Sequence, residues 1–201
     1  MLKVNLKTNQ LIFSATIVFM VLLIIEFYLK RNGLFASHLL YHYYSTFIEA
    51  LYATLIFYLI SILMFFGEKT AISVAITWYI CLDILKFLAG EWPGKILDFS
   101  LTPALGILTF VALVYVLIQL FRVNNKYIAL PFRLFGFSFL AVVVFKLMIA
   151  IAFPLSPGRL EMEYSSLLLI LTPLSILYIL KKVTDIIKSQ NAQSKEIGIL
   201  K

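Results

Sequence analysis

Long apolar runs alternate with short polar breaks along this chain of 201 residues. The runs cover approximately residues 11–29, 46–66, 71–89, 101–121, 134–153 and 165–180. A bilayer core about 30 Å thick takes roughly 20 helical residues to cross, and each run reaches or approaches that length. The breaks read KRNG at 30–33, GEK at 67–69, EWPGK at 91–95, RVNNK at 122–126 and PLSPGRLEME at 154–163. Each holds Gly, Pro, Asn or charge, the residues that stop or turn helices. Hydrocarbon offers no partner to backbone N–H and C=O groups, so runs of this length predict helices rather than open strands. The pattern therefore predicts an all-α, polytopic membrane protein. Six transmembrane helices form a compact bundle over residues 1–182, and a short basic tail follows at 183–201. No internal repeat, low-complexity tract or soluble domain interrupts the order.

Composition sharpens this reading. Hydrophobic residues make up 62% of the chain and charged residues only 13%, against about 25% charged in a soluble domain. Lys3 and Lys7 precede the first run as they would a signal sequence. That run is long for one, and no small-residue cleavage site follows, so it reads as a retained helix. Cys81 stands alone. It excludes an intrachain disulfide and is expected to be a small buried apolar group.

The net charge of +7 points to membrane flanks rather than to nucleic acid. One side of the predicted bundle collects Lys3, Lys7, Lys69, Arg122, Lys126, Arg133 and the lysines from Lys181 to Lys201. The other side holds Lys30, Arg31, Lys95 and Arg159. The bias places both termini in the cytoplasm, in agreement with an even number of helices. The expected location is the plasma membrane, or the inner membrane of a bacterium. The tail is expected to rest on anionic headgroups, at about 1 kcal/mol per basic residue near the surface, and offers a surface for a protein partner.

Ionisable groups inside the apolar runs carry what chemistry there is. In HLLYHYYSTFIEALY at 38–52, His38, His42, Ser45, Glu49 and Tyr52 form one narrow helical stripe. Tyr41, Tyr43 and Tyr44 beside it suit a membrane–water boundary. Counted by helical rise, Glu26, Glu49, Asp83, Lys86 and Lys146 all fall in the outer half of the bilayer. A charge at the centre of a membrane helix costs about 2.5–3.5 kcal/mol, so such groups face the bundle interior and find partners. The second, third and fifth helices are thus expected to meet around a polar pocket open to the outer face. Asp83 and Lys86 would pair along their own helix, and Lys146 would reach Glu49 or Asp83. Glu91, Trp92, Asp98, Arg159, Glu161 and Glu163 fall in loops on the same side and make that rim acidic. His38 and His42 have the spacing of two metal ligands. Glu49 lies nearly two turns below His42, too far to complete the site, so no metal is expected.

Pro173 falls in the middle of the sixth run and predicts a kink. There is no phosphate-binding loop, CxxC, HExxH or G-x-S-x-G motif, and no GxxxG within an apolar run. No cofactor is expected, and any chemistry must lie within the bundle. Three functions fit. The pocket would bind or transport a small polar solute or ion. Alternatively, an intramembrane enzyme would act on a lipid or lipid-linked substrate, with His38 or His42 moving protons and Asp83 and Lys146 holding a headgroup. A third reading is an accessory subunit that holds a membrane complex through its helices and tail.

Overall fold

Asn5 starts the first helix well ahead of its apolar run. Its side chain accepts a hydrogen bond from the Thr8 N–H at 2.9 Å, satisfying one of the donors a helix leaves open at its start. The helix α1 then runs Leu6–Arg31. The structure, a computed structural model, describes residues 2–32, 38–90, 102–152 and 169–199. The remaining helices are α2 His38–Phe65, α3 Thr70–Gly90, α4 Thr102–Phe121, α5 Ala129–Ala152 and α6 Leu171–Ile199. Glu91, Trp92, Asp98, Arg159, Glu161 and Glu163, expected to form an acidic rim, lie outside the described residues.

The all-helical architecture is the one the apolar pattern predicts. Four helices are long and apolar enough to cross a membrane, with spans Leu6–Lys30, Leu40–Phe65, Thr70–Leu88 and Pro103–Phe121. In α5 the described apolar part, Ala129–Phe145, is shorter. Large apolar side chains face outward, among them Leu11 and Val18 on α1, Val74 on α3 and Ile107 and Val111 on α4. Such a surface is costly in water and costs nothing against lipid, consistent with a helical membrane protein.

Two expectations need correction. The sixth helix does not end near residue 180 but continues to Ile199. Val183 and Ile187 carry its apolar face onward and are buried in the core. Cys81 is exposed rather than buried, because lipid solvates a small apolar group as well as the interior does. Pro173 lies two residues after the start of α6. Leu169 is helical and Ile170 a turn, so the helical ladder is interrupted about one turn before the proline, and the chain ahead of Leu169 lies outside the described residues.

Each helix packs against its neighbours in sequence, and α6 also packs against α1, so the order α1 to α6 closes into a ring. The side chains of α2 fill much of the interior: Leu55, Tyr58, Leu59, Ile62 and Leu63 are all fully buried. The closure of the ring is polar. Asn9, itself fully buried, donates to the Leu180 carbonyl at 2.8 Å and to Thr184 Oγ1 at 2.6 Å on α6. Its Oδ1 accepts from the Tyr58 hydroxyl of α2 at 3.2 Å. One carboxamide thus joins three helices.

A second set of bonds ties the loops at the end of the bundle where α1 begins, the N-terminal rim. Gly67, at φ 71°, ends α2. The N–H groups of Gly67 and Glu68 bond back to the Met64 and Leu63 carbonyls, the Schellman pattern that favours glycine. This turn aims Glu68 at the α4–α5 loop. Its Oε1 accepts from the Asn125 and Asn124 backbone N–H groups at 2.7 and 3.2 Å. Asn125 returns a bond to the Phe66 carbonyl.

Hydrogen bonds between membrane helices average about 0.6 kcal/mol and reach about 1.7. Replacement of Asn9 by Ala removes three and is expected to cost about 1–2 kcal/mol, read as a lower unfolding midpoint in detergent. An unchanged midpoint would show that packing alone closes the ring.

Candidate functional site

The site stands where α2 and α3 face each other in the half of the bundle away from the N-terminal rim. Glu49 lies about 17 Å along α2 from its start, and Asp83 about 20 Å along α3, at 1.5 Å per residue. Tyr52 is three residues after Glu49, and Tyr79 four before Asp83. Each acid therefore shares a helical face with its tyrosine. The helices run in opposite directions, so both tyrosines sit one turn closer to the N-terminal rim than the acids. The two phenols lie close enough to act on each other, and the charges of Asp83 and Glu49 act on both.

Aromatic packing holds this pair in place. The Tyr52 ring stacks on Phe19 of α1, with centroids 5.9 Å apart. Tyr79 meets Phe139 of α5 edge-on at 6.0 Å, and Phe139 meets Phe135 in the same way at 4.9 Å. Such contacts fix ring orientation as well as adding dispersion. Residues from α1, α2, α3 and α5 thus converge on one polar centre. Toward the N-terminal rim it ends on the buried side chains of Leu55, Leu59, Ile76 and Phe135. Oxygen atoms of two kinds, carboxylate and phenol, therefore gather above an apolar floor.

Among the described side chains, Glu26 and His42 stand apart from this centre. Glu26 is buried but pairs with Lys30 of its own helix at 2.7 Å. Lys30 also lies over the Tyr41 ring, 5.4 Å from its centroid, and the Tyr44 hydroxyl donates to the Leu22 carbonyl. These contacts form a separate α1–α2 corner at the rim opposite the N-terminus. His42 is partly buried beside Tyr41, with ring centroids 6.0 Å apart. His38 is the first residue of α2. Lys86 is exposed on α3. Lys146 belongs to α5, and the position of its side chain lies outside what is described, as does that of His38. Among the described residues no group of three or more His, Cys, Asp or Glu is placed to hold a metal.

Sequence reasoning reached Glu49, Asp83 and Tyr52 and missed Tyr79. The signal was its spacing of four from Asp83, which puts it on the same face of a helix that is otherwise almost wholly apolar. Asn9 was missed because it precedes the apolar run and read as a flank. The chain matches no family model, and neither curated proteins nor solved structures yield a match.

Proposed function

We propose that the protein binds a small cation in the Glu49–Asp83 pocket and carries it across the membrane. The observation that supports this reading is that two carboxylates and two phenols act on one another in one membrane-depth site. Ionisable groups at this depth are costly and are functional by default. Carboxylate and hydroxyl oxygens are hard donors that suit cations over anions. Two carboxylates acting on one pair of hydroxyls also repel each other, and a positive charge between them removes that repulsion. Lipid chemistry by histidine gains less support. His42 lies about 10 Å along α2 from Glu49 and rests against Tyr41.

In this reading all six helices span a cell membrane, and the N-terminal rim faces the cytoplasm. The charge asymmetry supports that orientation: Lys3, Lys7, Lys69, Arg122, Lys126 and Arg133 all belong to the N-terminal rim. The apolar floor beneath the tyrosines makes this a site accessible from the opposite rim. Translocation then requires α2 and α3 to part below Tyr52 and Tyr79.

Flux into proteoliposomes tests the function, with protons, sodium and methylammonium as probes. Glu49→Gln and Asp83→Asn are each expected to lower the flux about tenfold or more, a barrier change of ~1.4 kcal/mol. Flux equal to the wild type in both variants, or equal to empty vesicles throughout, would contradict the proposal. Orientation is tested by Lys188→Cys in a Cys81→Ala background. A membrane-impermeant maleimide is expected to label it only after cells are permeabilised; labelling of intact cells reverses the topology.

A further inference from the structure

A second site lies between the same two helices at their other end. Near the N-terminal rim α2 and α3 separate into a lateral cavity of about 810 Å³. Ile60, Ser61 and Ser73 form its buried floor. Phe57, Met64 and Trp78 form exposed walls, and Leu2 closes one end. The groove opens sideways at a depth where, in a membrane, the surrounding solvent is lipid.

The floor contains an unsatisfied group. Ser61 donates to the Phe57 carbonyl and Thr77 to the Ser73 carbonyl, the usual way a helical hydroxyl finds a partner in lipid. Ser73 Oγ does not: it is buried and has no hydrogen-bond partner. A buried hydroxyl without a partner is costly, and Ser73 is one of the residues that line the cavity. Ser73 is three residues into α3, about 4.5 Å along the helix from its start. That is the level at which the ester carbonyls of a phospholipid meet the hydrocarbon.

The mouth of the groove is electropositive. Lys69 immediately precedes α3, Lys3 adjoins Leu2, and both are exposed. The N-terminus of α3, a helix of 21 residues, adds the partial positive charge of its free N–H groups. Glu68 is the acid beside this mouth, and its carboxylate is engaged by the Asn124 and Asn125 N–H groups. Trp78 does not suit the aromatic belt, since it stands about 12 Å along α3 from the rim. Its exposed ring instead forms a wall along which an alkyl chain can lie.

We infer that this groove seats one anionic phospholipid of the adjoining leaflet, with an acyl chain between Trp78 and Phe57, an ester carbonyl on Ser73 and the phosphate at Lys3 and Lys69. This site is separate from the Glu49–Asp83 pocket and does not depend on its function. Native mass spectrometry tests it on full-length protein extracted gently from vesicles of mixed phosphatidylglycerol and phosphatidylcholine. One phosphatidylglycerol per chain is expected to stay bound. Ser73→Ala should weaken retention roughly fivefold, the worth of one net hydrogen bond. Lys3→Gln with Lys69→Gln should abolish the preference for phosphatidylglycerol. Absence of retained lipid, retention unchanged in every variant, or a lipid-free dimer of the chain would overturn the inference. Fluorescence gives an independent reading. In a Trp92→Phe background, brominated phosphatidylglycerol in detergent should quench Trp78 with saturation near one lipid per chain. Quenching that rises without saturation, or equally with brominated phosphatidylcholine, signals annular lipid only and would overturn it as well.

Discussion

Hydrocarbon supplies no hydrogen bonds, and most of the polar side chains described inside this bundle are disposed as that constraint requires. Asn9 shows it most fully. A carboxamide has two donors and an acceptor to satisfy, and here they reach the Leu180 carbonyl, the Thr184 hydroxyl and the Tyr58 hydroxyl. The first, second and last helices are thereby held together at one depth. Smaller hydroxyls solve the same problem within their own helix: Thr16, Thr46 and Thr109 each donate to the carbonyl four residues earlier. Those bonds cost no tertiary structure and give none. Asn9 instead turns its amide away from α1, so satisfying it in this rotamer requires the ring to close.

The same constraint organises the polar centre between α2 and α3. Glu49 and Asp83 do not stand alone in an apolar bundle; each brings a tyrosine on its own face, and the two tyrosines act on each other. Phe19 and Phe139 then fix those rings from α1 and α5. The pocket is therefore positioned by packing contacts outside the two helices that carry its charges. Near the N-terminal rim the same pair of helices leaves a cavity with Ser73 unsatisfied. One interface thus presents a charged site at one depth and a lipid-facing groove at another, with Leu55, Leu59 and Ile76 buried between them.

Much of this fold was legible in the sequence, because run length and polar breaks report directly on helices that lipid must solvate. Helix ends were less so. Asn5 extends α1 toward the N-terminus by a cap that lies outside the apolar run, and Val183 and Ile187 carry α6 past its lysines on a single buried face. In the site, carboxylates stood out because they are rare in such runs. Tyr79 did not, since a tyrosine passes for one more apolar ring in a helix that also holds Trp78. Lys86 shares a helix with Asp83 but faces outward, a difference of rotation that spacing alone does not resolve.

The central claim is that Glu49 and Asp83 face each other within the bundle while Lys86 does not. Paired cysteines at 49 and 83, in a Cys81→Ala background in native membranes, measure this directly with a short bifunctional thiol reagent. The account predicts efficient cross-linking for that pair and little for the control pair at 49 and 86. Equal cross-linking of both pairs, or cross-linking of the control alone, would contradict it.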